Sequence, residues 1–370
     1  MSTRDRRFSA LAITIACLFA ASWFENRYGA QVRASDKQTY QVAIPLGLIE
    51  PDIPSDNPLT VEKIELGKKL FFDTRLSLKG TTSCATCHNP NHGFAESRPV
   101  SVSANGDKQR RNAPTVLNAG YLPLVMWDGR FRTLEQQSIE PFTTWGDMSI
   151  DIGDVMELIS ADSDYLRMFR IVYDTGPTVD AMGKAIAAYQ RSLVSGDTRF
   201  DQFLYGERKD ALTDLEKLGY EIFVGRASCI NCHDIFHKSV NPLGGAIATF
   251  TDSRFHNLGV GYSNGVMKDT GRFEVTRDPL NWGAFKTPTL RNVALTPPYM
   301  HDGSLATLED VVDFYNQGGI PNPNISPGLR TLHLTQMQKQ GLVAFLRALT
   351  DPEIERQAAS TQKAQAALQR

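Results

Sequence analysis

The sequence predicts a mainly α protein of two similar domains, with long loops and little β structure. Three observations carry this. At 370 residues the chain exceeds the usual size of one domain. Two look-alike amphipathic segments, Thr60 to Phe72 (TVEKIELGKKLFF) and Thr213 to Phe223 (TDLEKLGYEIF), each lead into the same five-residue pattern. Strand signals are sparse throughout.

Taken in order, residues 1–34 read as an export signal. Arg4, Arg6 and Arg7 form a basic start, an apolar run of 17 residues follows from Phe8 to Phe24, and Val32-Arg33-Ala34 supplies a cleavage site. An uncleaved anchor is the rival reading, because the run lies at the lower limit for a membrane span. Cys17 falls within it and is filler, since Thr14-Ile15-Ala16 suits lipid attachment poorly. Removing the segment takes away five of 39 basic and two of 41 acidic residues, leaving 34 against 39 and a net charge of about −5. A mildly acidic surface without basic blocks argues against nucleic acid as a partner.

Residues 35–55 form an N-terminal extension, 56–206 the first domain, 207–350 the second and 351–370 a polar tail. The two look-alike segments start with Thr at an N-cap, place an acid in the first turn and then repeat apolar residues at helical spacing. Val179 to Leu193 has the period of an amphipathic helix, and the polar stretch Ser195 to Asp201 reads as a linker, with the boundary near Gly206. Residues 234–285, rich in Gly, Asn and Asp, read as long loops. The Ala/Gln-rich tail reads as a frayed helix.

Beyond Cys17 the cysteines are Cys84, Cys87, Cys229 and Cys232, set in Cys84-Ala85-Thr86-Cys87-His88 and Cys229-Ile230-Asn231-Cys232-His233. On a helical turn, positions i, i+3 and i+4 share a face. Two thiols can there bond the vinyl groups of a haem while the imidazole reaches its iron. Thioredoxin-like chemistry would want a βαβ setting, and a shared zinc site would leave both histidines idle. Two such pentapeptides in an exported chain point to two covalently bound c-type haems.

A haem iron with two protein ligands moves electrons, whereas one with an open position can activate a small molecule. Candidates for a sixth ligand near the second haem are Met267, Met300, Met337, His256, His301 and several tyrosines, and periodicity does not choose among them. Tyr315 falls in the amphipathic stretch Thr307 to Asn316, where pattern alone favours packing. His92, His237 and His333 read as surface or hydrogen-bonded histidines.

Together these stretches resemble the bacterial di-haem cytochrome c peroxidase and MauG family. The likeness runs from about Pro45 to Leu349 and rests on the two haem motifs, Arg111-Asn112-Ala113-Pro114-Thr115, Trp127-Asp128-Gly129-Arg130, and Thr287 to Gly303 (TPTLRNVALTPPYMHDG) with Leu305 to Glu309. The resemblance implies two cytochrome c-like haem domains, with His88 as proximal ligand of a peroxide-reacting haem and His233 of an electron-relay haem. It makes Trp127 a bridge between the porphyrins, Gln137 and Asp147 parts of the peroxide pocket, and Asn112, Thr296 and Pro298 holders of a calcium ion. Asp147 stands where relatives carry Glu, one methylene longer; Glu140 is a second candidate.

Two departures imply the MauG-like branch. Fourteen residues after His301 the peroxidases place a methionine, and this chain has Tyr315, an oxygen ligand that favours oxidised iron. Ser101 to Arg110 contains no histidine to cap the resting peroxidatic iron. A third departure limits the analogy: the tryptophan that MauG itself uses as an exit, two residues before the second haem motif, is Ala227 here. The expected function is a periplasmic oxidase that uses hydrogen peroxide to form a high-valent di-haem state and oxidises a Trp or Tyr on a protein partner. The alternatives are a peroxide-scavenging peroxidase fed by a small cytochrome c or cupredoxin, and a non-enzymatic di-haem electron carrier.

Overall fold

The computed structural model describes residues 38–143, 146–235 and 249–368. The export segment with Cys17, and His237, lie outside the described residues. The helices of the first half are α1 (Val61–Phe72), α2 (Cys84–Cys87), α3 (Leu134–Ile139), α4 (Ile152–Ala161), α5 (Ser163–Tyr173) and α6 (Val179–Ser192). Those that follow are α7 (Arg199–Leu204), α8 (Asp214–Val224), α9 (Phe273–Thr276), α10 (Leu308–Gln317), α11 (Gln336–Arg347) and α12 (Pro352–Leu368). Among the described residues, the strands are four of two residues each, β1 (Phe255–His256), β2 (Tyr262–Ser263), β3 (Val266–Met267) and β4 (Phe285–Lys286), paired antiparallel as β1–β4 and β2–β3, with isolated bridges elsewhere. The protein is mainly helical with little sheet, as its sequence implies.

The two look-alike segments are helices and start as their sequences dictate. Thr60 Oγ1 accepts from Lys63 N at 3.2 Å, and Thr213 forms a capping box with Glu216. Each then crosses a late helix of its own half so closely that only glycine fits. A Cβ on Gly67 of α1 would lie 1.9 Å from the Ala185 carbonyl oxygen of α6, and one on Gly219 of α8 1.9 Å from that of Gly341 on α11.

The repetition extends well beyond these helices, and from Asn112 onward it runs at a constant offset of 174 residues. Pro114-Thr115-Val116-Leu117-Asn118 corresponds to Pro288-Thr289-Leu290-Arg291-Asn292. Both asparagines are left-handed, with φ of 61° and 60°, and both precede a short 3₁₀ turn. Met126 and Met300 share φ values of 72° and 75°, and isolated bridges close the following turns at Val125–Phe131 and Tyr299–Leu305. Thr133 and Thr307 then cap α3 and α10.

Each half has its own core. The first gathers Leu66, Phe71, Ile159, Phe169 and Met182. The second is built on an aromatic cluster in which Phe200–Phe345 and Phe223–Phe345 centroids lie 5.5 and 5.1 Å apart. Phe200 and Leu204 belong to this second core, so α7 packs with the later half although it precedes Gly206.

The stretch from Ser195 to Asp201 is polar for a reason other than solvation. Ser195, Thr198 and Asp201 are buried, and Asp201 holds the buried Arg291 by two hydrogen bonds of 2.8 Å. Polar side chains there fasten the crossing between halves. The tail forms α12, which turns back and packs Ile354 on the first core.

Gly219→Ala should lower unfolding stability by about 1–3 kcal/mol, because the added methyl meets backbone in a packed crossing. Gly176→Ala, where a Cβ meets nothing within 4 Å, should change it by less than about 0.5 kcal/mol. Chemical denaturation of both variants checks the pair.

Candidate functional site

The two Cys-x-x-Cys-His turns open onto one continuous cavity of about 680 Å³ between the halves. In the first turn, Ser83 and Thr86 form a capping box and His88 N bonds Cys84 O at 2.9 Å. In the second, Ser228 is left-handed with φ of 54° and His233 N bonds Cys229 O at 2.8 Å. The four cysteines are free of disulfides. Burial pushes the thiols of Cys84, Cys87 and Cys229 up to about 12, which keeps them protonated.

Each histidine is oriented by a carbonyl. His88 Nδ1 lies 3.3 Å from Phe94 O and His233 Nδ1 2.9 Å from Phe250 O. Phe94 and Phe250 are both left-handed, with φ of 57° and 54°, so an unusual backbone turn presents each acceptor. Burial is the largest influence on both imidazoles and lowers their pKa values, leaving neutral rings. A neutral ring that donates from Nδ1 keeps its Nε2 lone pair for a metal. The cavity, the protonated thiols and the oriented imidazoles fit two covalently held haems.

Around the first turn the cavity is lined by Gln137 on α3 and by Asp147. Burial and Glu140 raise the Asp147 carboxyl to about 6, Arg130 opposing. Glu140 donates no group to the cavity and instead pairs with Arg130 at 2.9 Å. The structure thus separates the two acids that sequence left in competition. From Ser101 to Arg110, Ser101, Gln109 and Arg110 reach the cavity, and none carries an iron-binding imidazole or thioether.

Around the second turn, Tyr315 on α10 lines the cavity and its hydroxyl has no hydrogen-bond partner among the described residues. Burial, with Cys229 and Cys232 adding to it, pushes the phenol above its ordinary range, so a phenolate exists there only beside a cation. The repeat gives this position a counterpart. Tyr315 in the second half corresponds to Pro141 in the first, and Gln137 corresponds to Val311. A proline side chain has no lone pair for iron, so the same place on the scaffold presents a hydroxyl oxygen to the cavity in one half and none in the other.

The remaining candidates separate by position. Met337 is 59% exposed, Met267 packs against Gly283, and His256 is bound to Asp252 at 2.9 Å. Cys232, Asp252 and His256 lie together, but Cys232 belongs to the haem motif, so the trio is no independent metal site. Met300 and His301 line the cavity, and His301 stacks on Phe285 at 3.7 Å.

Trp127 stands between the halves. Its Nε1 donates to Asn112 O at 2.8 Å, and its ring meets that of His301, its counterpart in the repeat, at 6.4 Å. The main chain crosses here symmetrically: Asn112 N bonds His301 O at 2.7 Å and Lys286 N bonds Trp127 O at 2.8 Å. Asn112, Thr296 and Pro298 share the cavity wall. The Asn112 amide nitrogen donates to Arg98 O at 2.8 Å, which leaves its Oδ1 without a hydrogen bond among the described residues. The Thr296 and Pro298 carbonyls likewise accept none there, a set of oxygens that suits a hard cation. Sequence reading missed Phe94, Phe250, Lys286 and the Pro141 counterpart. The Pro-Thr-x-x-Asn repeat was the signal that could have exposed the last two.

Comparison with known proteins places these features in a lineage. The profile of the family described as di-haem cytochrome c peroxidase matches residues 61–209. The methylamine utilization protein MauG of Methylorubrum extorquens is 36% identical over 298 residues, covering 80% of each chain. Cytochrome-c peroxidase IdrP1 of Denitromonas iodatirespirans is 36% identical over 343 residues, covering 84% of this chain and 87% of that one. Among solved structures, a MauG-like protein associated with microbial copper homeostasis superposes with a TM-score of 0.74 at 33% identity, over 85% of this chain and 97% of that one.

Proposed function

Since this chain belongs to the di-haem cytochrome c peroxidase family, whose members use peroxide in haem-dependent oxidation, we propose that it is a MauG-type oxidase of the periplasm. In this reading it takes oxidising equivalents from hydrogen peroxide and delivers them to a Trp or Tyr side chain of a protein partner. The observation that carries the proposal is the pairing of Tyr315 with Pro141 at equivalent places of the repeated scaffold. One half then offers a second ligand and the other an open position.

Two haem c groups, held by Cys84, Cys87 and His88 and by Cys229, Cys232 and His233, supply peroxide reduction and the storage of oxidising equivalents. His88 and His233 keep a proton on Nδ1 and present Nε2. Asp147 takes the proton from the near oxygen of peroxide and returns it to the departing one, a role its carboxyl near pH 6 suits. Gln137 orients the peroxide beside it. Trp127, fixed through Nε1, lies between the halves as a bridge for charge, and Asn112, Thr296 and Pro298 would hold a calcium ion on that wall. Residues 1–34 direct export. No helix among the described residues is long and apolar enough to cross a membrane.

The relatives named cytochrome-c peroxidase support a second reading, peroxide scavenging fed by a small redox protein. Fast steady-state oxidation of reduced cytochrome c or a cupredoxin by peroxide would favour it.

In Tyr315→Phe, the ferric protein should gain a second high-spin haem signal in its EPR spectrum, and the state formed after one equivalent of peroxide should shorten in life. An unchanged spectrum sinks the ligand assignment. The carboxylate form of Asp147 is the proton acceptor, so the peroxide reaction should quicken as pH rises through about 6. Asp147→Asn should slow it by about a hundredfold or more and flatten that rise, as stopped-flow measurement across pH will report.

A further inference from the structure

Lys286 is 6% exposed, and its ammonium donates to one acceptor, Thr287 O at 3.2 Å. An ammonium carries three donors, and burying it without a counter-charge is costly. Its neighbours on the cavity wall are better matched. Arg110, Arg111, Arg130 and His256 each have a carboxylate at 2.6–2.9 Å, whereas Lys286 has no salt-bridge partner among the described residues. The side chain nevertheless lines the cavity, on a strand pinned from both sides by the β1 pairing and by its N–H to Trp127 O. Lys286 is the repeat counterpart of Asn112. Where the first half offers an oxygen, the second half fixes a positive charge.

Among the described residues, no carboxylate reaches the Lys286 ammonium from within the cavity. A haem has one kind of anionic group, its propionate carboxylates. We propose that Lys286 is the counter-ion of a propionate of the second haem, and that it thereby positions that haem against Trp127 and raises its reduction potential. The assignment rests on the di-haem reading above. The segment favours the second haem because the next residues, Thr287 and Pro288, run beside His233, with the Pro288 carbonyl near its ring. Asp252 exerts the one carboxylate influence felt by Lys286, but its Oδ2 is engaged by His256. Two of the three ammonium donors thus remain for the haem.

The test is a spectroelectrochemical titration of the holoprotein carrying Lys286→Gln, with Lys286→Arg as the conservative rescue. Removing the charge should move the midpoint potential of the second haem downward and leave the first in place, and arginine should restore most of the shift. Equal potentials in wild type and Lys286→Gln overturn the proposal. A wild-type potential that varies with added acetate also overturns it, since a free anion would then occupy the place. Should the glutamine variant fail to fold, Lys286→Met keeps the apolar stem without the charge and carries the same expectation. In wild type alone, the propionate bending band in the resonance Raman spectrum should shift in heavy water, and a band that ignores the exchange refutes the contact. Failure of the underlying reading looks different: mass spectrometry would find fewer than two haems on the purified chain before any potential is read.

Discussion

The arrangement depends on two reciprocal backbone hydrogen bonds, Asn112 N to His301 O and Lys286 N to Trp127 O. They tie the equivalent segments of the two halves to each other across an approximate twofold relation, with Trp127 and His301 edge to face between them. Main-chain bonds set this register without regard to side-chain identity. Side chains then lock it. Arg111 reaches Asp128 on its own half and Asp269 on the other, at 2.6 and 2.7 Å, with its guanidinium over Phe285. Breaking such a buried network leaves uncompensated charge and costs several kcal/mol, so the contact between the two halves is firmly held.

On this symmetric frame the differences between halves are few and chemical. Trp127 faces His301, Asn112 answers Lys286, Gln137 answers Val311, and Pro141 answers Tyr315. The backbone is shared to within a few degrees at its most unusual torsions, as Asn118 and Asn292 or Met126 and Met300 demonstrate. A scaffold used twice therefore places Gln137 and Pro141 on the cavity wall in one half and Val311 and Tyr315 in the other. In these paired segments the asymmetry resides in side chains.

Much of this was legible in advance because the chemistry is local. A thiol pair followed at once by an imidazole needs no tertiary information, and neither do the Thr-capped helices, whose caps and apolar period stand in the sequence. The rest was hidden for identifiable reasons. From His88 to Pro114 the chain takes a short path, whereas from His233 to Pro288 it takes one about twice as long, so the repeat drifts out of register between its clearest landmarks. Tyr315 shares a helix stripe with Leu308 and Val312, both buried, and periodicity alone reads all three as packing. Its family resemblance, rather than its pattern, singled it out. Asp147 and Glu140 look alike until Arg130 is seen to occupy one of them. Ser195 to Asp201 looked like a solvated connector because burial of polar side chains depends on partners far along the chain, Arg291 above all.

The return of α12 has a bearing on how the molecule is assembled. The last helix of the described chain leaves the second half, anchors Asp351 to Ser195 and Gly196, and lays Ile354 on the first core. Closure of the early half thus includes a side chain from far along the sequence. The C-terminal helix thus ties the end of the described chain to both halves at once.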